Sequence, residues 1–259
     1  MDIKIQASHV NKIYRTDKKE GTLALDDVSF EIKEGEFVCM LGPSGCGKTT
    51  MLNMIGGFEN PSSGAVKVAG QVVSDPGPDR GYVFQEHALF PWLKVGDNVG
   101  FGLLRDKSLS KQKRQEIVDY YLNMVNLSEF SDKYPHQLSG GMKQRVAISR
   151  ALAPNPEVLL MDEPFAALDA QTRYMMQLEL IKIHQRSQKT IVFVTHGVDE
   201  ALVLADRILV FSRRPGRIIL DETIDIEKPR DVNEPKLLDI KARLFKLLEQ
   251  EGNYHMSVG

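Results

Sequence analysis

The chain has 259 residues, 42% of them hydrophobic and 26% charged, with a formal net charge of -2. That is the composition of a soluble globular protein with enough length for one large core and a smaller lobe, and its near-neutral balance offers no general attraction to nucleic acid or to an anionic membrane. No apolar run approaches the ~18 residues of a membrane span, and the first residues, MDIKIQASHV, have no apolar signal core. A cytoplasmic chain that meets a membrane only through another protein is therefore expected. Cys39 sits in an apolar run and Cys46 in a glycine-rich one, so no structural disulfide is expected.

In chain order, residues 3–14 alternate and read as an edge strand, followed by a polar loop over 15–21. Residues 24–32 alternate again, and KEGE turns into the apolar run FVCML at 37–41, of strand length. GPSGCGKTT follows, and a helix is predicted over 48–55. Strands are predicted over 64–69 and 71–73, joined at Gly70, then a turn over 76–80 and a buried strand at 82–85 ending in Gln85. The segment that begins at His87 changes character, with Phe90, Pro91 and Trp92 among turns; these read as lobe packing, with Trp92 partly exposed. Helices are predicted over 110–125, with Ile117, Tyr121, Met124 and Val125 on one side, and over 138–153. The α/β alternation resumes with strands at 158–162, 190–196, 207–211 and 216–220 and helices at 171–186 and 198–205. Continuous apolar strands between helices indicate a mostly parallel sheet covered on both faces. The expected organisation is an α/β nucleotide-binding core from 1–87 and 156–227, a helical subdomain at 88–155, and a polar tail at 228–259 with a short amphipathic helix at 235–250.

Three segments carry chemistry. GPSGCGKTT fits GxxxxGK(S/T) between a predicted strand and a predicted helix. Gly42, Gly45 and Gly47 let the backbone turn tightly and aim its N–H groups, with those of Pro43–Thr50's neighbours Ser44, Cys46 and Thr50, at an anion. The helix behind adds the positive end of its dipole; Lys48 reaches the β- and γ-phosphates and Thr49 is a Mg²⁺ ligand. Cys46, at a helix N-terminus, is expected to be a reactive thiol. Asp162 and Glu163 follow an apolar strand, where one carboxylate anchors Mg²⁺ and the next polarises a water for in-line attack on the γ-phosphate. Ser139, Gly140 and Gly141 open a helix as an N-cap with accessible amides, a second anion site that suggests a head-to-tail dimer.

The order of these motifs closely resembles the ATP-binding subunits of ABC transporters over about residues 3–225. GPSGCGKTT looks like the family's Walker A loop, Gln85 its Q-loop, LSGGMKQR its signature, VLLMDEP its Walker B strand, Ala167-Leu168-Asp169 its D-loop and His196 its H-loop. The resemblance implies a RecA-like P-loop core with an N-terminal antiparallel β region and an inserted helical subdomain. It implies ATP and Mg²⁺, with Lys48 and the loop amides on the phosphates, Thr49, Gln85 and Asp162 at the metal, Glu163 as general base and His196 on the γ-phosphate. Tyr14 falls where the family stacks an aromatic ring on adenine. Ser139 and Gly141 would act on ATP held by a second copy, and Asp169 would lie across that dimer. The implied partners are a second copy, membrane permease subunits and, indirectly, a solute-binding protein, with no nucleic acid.

Phe90-Pro91-Trp92, Asp97-Asn98-Val99, DEPFAALDAQTR and SRRPGRI resemble the nitrate/sulfonate/taurine import subfamily. That leaves sulfonates, taurine, nitrate and thiamin-precursor pyrimidines open as solutes. Gly197 departs from the subfamily, which usually has Asp there; a looser start to the next helix is expected from the lost N-cap carboxylate. Two other readings are a soluble ABC-type ATPase and a nucleotide-binding regulatory module without turnover. The first usually brings long coiled coils or paired ATPase units, and the second is opposed by Glu163 and His196.

Overall fold

A computed structural model of the chain describes residues 2–16, 19–86, 88–166, 168–231 and 233–252. His87 and Ala167, both named above, lie outside the described residues. In chain order the elements are β1 (Ile3–Thr16), β2 (Lys19–Lys33), β3 (Phe37–Leu41), α1 (Lys48–Gly56), β4 (Ser63–Val68), β5 (Gln71–Val72), β6 (Arg80–Val83), α2 (Val95–Gly100), α3 (Lys111–Met124), α4 (Gly140–Leu152), β7 (Val158–Asp162), α5 (Ala170–Ser187), β8 (Thr190–Thr195), α6 (Val198–Leu204), β9 (Arg207–Phe211), β10 (Ile218–Thr223) and α7 (Pro235–Gln250). The chain divides into one unit of Met1–Gly77 with His184–Gly259 and a second of Pro78–Ile183.

The first unit holds an antiparallel sheet in the order β2-β1-β4-β5. Residues 3–14 are therefore not an edge strand. β1 pairs with β2 through Ile5↔Ile32 and Ala7↔Phe30, and with β4 through Ile5↔Val68 and Ala7↔Val66. Ile5, Ala7 and Val10 are buried, as the inward-facing residues of a central strand should be. Much of the expected polar loop is strand, because β1 and β2 stay paired as far as Thr16↔Lys19.

In the same unit β3 is flanked by β8 and β9, both parallel to it, and β10 closes antiparallel on β9. All five residues of β3 are buried, which is what a strand covered on both faces requires. Leu41 is level with Thr195 and Val210, so the chain leaves β3, β8 and β9 at one carboxyl end. The tail is not merely polar. Leu237, Leu244 and Leu248 of α7 are fully buried, and α7 packs on α6, where Lys241 pairs with Asp199 at 2.6 Å. Arg243 reaches Glu222 at 2.6 Å, so the apolar stripe docks the helix and ion pairs near its middle flank the contact.

The second unit pairs β6 and β7 in parallel, with Val83 level with Met161. Its helical part packs α2, α3 and α4 around Val95, Val99, Val118, Leu122, Val125 and Val146. On the expected side of α3, Val125 is buried and Ile117, Tyr121 and Met124 are partly buried against the core, with Val118 and Leu122 buried beside them.

Candidate functional site

The phosphate loop leaves β3 after Leu41 and enters α1 at Lys48. Gly47 caps the helix at φ 102°, left-handed, and a Cβ there would lie 2.6 Å from Leu25 Cδ2. Glycine is needed at this position for both conformation and space. α1 has no acidic residue in its first turn and no side-chain cap, so the positive end of its dipole is not neutralised by its own residues. Lys48 is 4% exposed. Its Nζ donates to the carbonyls of Gly42 at 2.7 Å and Pro43 at 2.9 Å, which holds the ammonium in the mouth of the loop. Ser44, Gly45 and Thr49 are exposed, and Pro43, Gly47 and Thr50 half-buried.

Cys46 overturns an expectation. It is buried, and burial pushes its thiol up, against the opposing charge and hydrogen bond of Lys48. Desolvation of a thiolate outweighs the helix end here, which works against the expected activation of this thiol. What buries it was not visible locally. The hairpin between β9 and β10 packs behind the loop: a Cβ on Gly216 would sit 2.0 Å from the Cys46 carbonyl oxygen. Gly216 N donates to Ala24 O at 2.8 Å, and Asp26 N to Gly216 O at 3.0 Å. Arg214 Nη2 donates to the carbonyl of Gly45 at 3.2 Å. The segment SRRPGRI is thus the outer wall of the phosphate loop, and Arg214 is a loop contact that the sequence reading missed; its one local signal was a glycine that the hairpin needs.

His196 follows β8 and is exposed, beside the strand that delivers the loop. Gly197 occupies the N-cap of the next helix, which has no side-chain cap hydrogen bond, as expected from the missing carboxylate. Its N–H donates to Thr195 Oγ1 at 2.9 Å, that hydroxyl donates to Glu200 Oε2 at 2.5 Å, and Asp199 and Glu200 supply first-turn carboxylates that favour the helix dipole. Tyr14 lies on β1, 40% exposed, with its hydroxyl 3.2 Å from Thr50 Oγ1. In the first unit, then, the phosphate loop, Tyr14 and His196 lie at or beside the loop end of the sheet.

The second unit gathers the remaining candidates in two groups. Asp162 ends β7 and is 6% exposed. Glu163 follows at φ 41°, a left-handed conformation that a non-glycine residue adopts at a cost of about 1–3 kcal/mol. Burial, and then the neighbouring Asp162 carboxylate, push the Tyr82 phenol up. Gln85 is not in a strand: β6 stops at Val83, Phe84 is exposed, and Gln85 is exposed beyond it. Because Val83 is level with Met161, Gln85 and Asp162 leave adjacent parallel strands at the same end. The carboxyl ends of parallel strands are where open α/β sheets bind ligands.

The other group is at the start of α4. Ser139 caps it, its Oγ accepting from Met142 N at 3.3 Å, with Gly140 exposed and Gly141 buried. A Cβ on Gly141 would sit 2.6 Å from Thr172 Cγ2. Asp169 Oδ1 accepts from Thr172 N at 3.0 Å, and hydrogen bonds from Thr172 hold its carboxyl below the usual range. The segments of Ser139–Gly141 and Asp169 are therefore brought together. Elsewhere in this unit Trp92 is 70% exposed, further than the partial exposure expected of it, while Phe90 is half-buried. Asn98, fully buried, explains it: Nδ2 donates to the carbonyls of Phe90, Leu93 and Lys94, each at 3.1 Å, and ties the turn so that the indole points out.

Residues 25–166 match the family model described as ABC transporter. An uncharacterised ABC transporter ATP-binding protein of Methanocaldococcus jannaschii is 48% identical over 251 residues, 97% of this chain and 93% of the relative. The nitrate import ATP-binding protein NrtD of Synechocystis sp. is 48% identical over 232 residues, 90% of this chain and 86% of its own. Among solved structures, the dimeric post-hydrolysis state of an ATP-binding cassette bound to ADP and Pi superposes with a TM-score of 0.76 at 36% identity, covering 86% of this chain and 100% of that one.

Proposed function

The chain belongs to the ABC transporter family, as an ATP-binding ATPase, and from that premise we propose that it powers an importer whose membrane-spanning subunits are separate chains. The observation that carries the reading is the phosphate loop at the carboxyl end of β3, with Lys48 in its mouth and His196 leaving the neighbouring strand. No helix among the described residues is long and apolar enough to cross a membrane. Attachment to the cytoplasmic side of a membrane then runs through the permease. Its docking face is the exposed group of Phe84, Phe101 and Trp92, beside a cleft of about 300 Å³ that Arg80, Arg105 and Arg150 also line. The nitrate named for one relative supports a small anion as solute.

In this reading Lys48 and the backbone N–H groups of residues 44–50 bind the phosphates of ATP. Thr49, Asp162 and Gln85 would offer Mg²⁺ a hydroxyl, a carboxylate and an amide carbonyl, which are the hard oxygen donors it prefers. When bound, it supplies charge neutralisation at the phosphates. Glu163 takes a proton from the attacking water, and its strained backbone aims the carboxylate. His196 donates to the γ-phosphate. Ser139, Gly140 and Gly141 of a second copy close over the same ATP, with Asp169 at that interface, so the working form is a head-to-tail dimer. A solute-binding protein delivers the solute to the permease.

The test is steady-state ATP hydrolysis by wild type and Glu163→Gln, with and without co-expressed membrane subunits. The variant is expected to lose about 100-fold or more in kcat and to accumulate as an ATP-bound dimer on size-exclusion chromatography. Normal turnover by the variant would remove Glu163 as the base.

A further inference from the structure

A cluster beside the phosphate loop has no role in the reading above. Glu59 lies in the connection after α1, and its two oxygens are divided between two residues of β1. Oε2 accepts from the Tyr14 hydroxyl at 2.8 Å, and Oε1 pairs with Lys12 Nζ at 3.0 Å. Lys12 also donates to Asn60 O at 2.7 Å, and its ammonium sits 5.1 Å from the centroid of the Tyr14 ring. The Lys12 and Glu59 side chains are largely buried, so this pair is shielded more than a surface one. The connection itself is pinned to β1: Ser62 N donates to Asn11 O at 2.8 Å, and Ile13 N to Ser62 Oγ at 3.0 Å. With its proton given to Glu59, the Tyr14 hydroxyl accepts from Thr50 in the first turn of α1.

We propose that Glu59 and Lys12 are positioning residues for the adenine of ATP, fixing the Tyr14 ring at its hydroxyl and covering one face with a cation so that a single face is presented to the base. A phenol held only at Cβ swings about χ1 and turns about χ2, and a base that stacks on it must then order it. Here the two hydroxyl bonds fix where the tip of the ring lies, and the Lys12 ammonium on one face opposes its turning about χ2. The Thr50 bond sets the ring's height relative to the loop that takes the phosphates. The inference rests on the reading that Tyr14 receives the base.

The experiment measures displacement of a ribose-labelled fluorescent ATP from the full-length chain, by ATP and separately by inorganic tripolyphosphate, which has no base. Glu59→Ala is expected to weaken ATP about fivefold and to leave tripolyphosphate unchanged; Glu59→Gln, which keeps the Tyr14 bond and loses the Lys12 pair, should weaken ATP about twofold. Tyr14→Ala should weaken ATP at least as much as Glu59→Ala, and the double variant no further. If Tyr14→Ala weakens ATP while Glu59→Ala does not, the positioning role is overturned and the stacking role of Tyr14 stands. If Tyr14→Ala leaves ATP binding unchanged, the stacking reading fails and takes this inference with it. Equal losses for ATP and tripolyphosphate in Glu59→Ala would reduce the cluster to a structural tie.

Discussion

The loop after β3 and the start of α4 are both glycine-bearing helix N-termini, yet they are built differently. The first is finished on every side. Lys48 is buried in its mouth, Gly216 and Arg214 wall its rear, and glycine rather than a side chain caps its helix. The second is sparse. The Ser139 hydroxyl already accepts from its own helix, Gly140 is open, and a Cβ on Gly140 would meet nothing within 4 Å. A polyanion needs several fixed donors and a cation to offset its desolvation, and only the first site has them. The second can add a few donors to a nucleotide already held elsewhere. That division is the physical content of a composite site, and it is why a single copy should bind ATP well and hydrolyse it poorly.

Three substitutions probe this contrast. Lys48→Ala should cut ATP turnover about 100-fold or more and weaken binding to the isolated chain, because it removes the charge inside the loop; near-normal binding would erase the contrast at once. Ser139→Ala should lower turnover about tenfold and leave ATP binding by the isolated chain unchanged, as measured by the same nucleotide displacement. Equal loss of binding in the isolated chain would mean that Ser139 serves ATP bound to its own copy. Smallest in its effect on turnover is Leu244→Ala, at a fully buried position of α7. It should destabilise the fold by about 2–4 kcal/mol in urea denaturation, with turnover per folded molecule hardly changed. A large loss of specific activity would show that α7 tunes the site through α6.

Much of this was legible in the chain itself because it is local. The apolar runs at 37–41, 158–162 and 207–211 give strands with the expected bounds, and the leucine spacing of 235–250 gives α7. The fold class and the family follow from motifs that each occupy a few adjacent residues. What was misread depends on neighbours distant in sequence. β1 looks like an edge strand until β4 arrives on its second side. Cys46 looks like an activated thiol until its burial in the folded loop is seen. Gln85 shows the limit of pattern reading at strand ends, where pairing with β7 stops before the apolar run does.

The wall behind the phosphate loop has a consequence for synthesis. A nascent chain emerges N-terminus first, so GPSGCGKTT leaves the ribosome long before β8, β9 and the Arg214–Gly216 hairpin that flank and back it. The phosphate loop, the signature, the Asp162-Glu163 strand and His196 are all out before the cradle has its rear support. A product truncated just after His196 would keep those motifs and lack the part that closes over the Cys46 carbonyl.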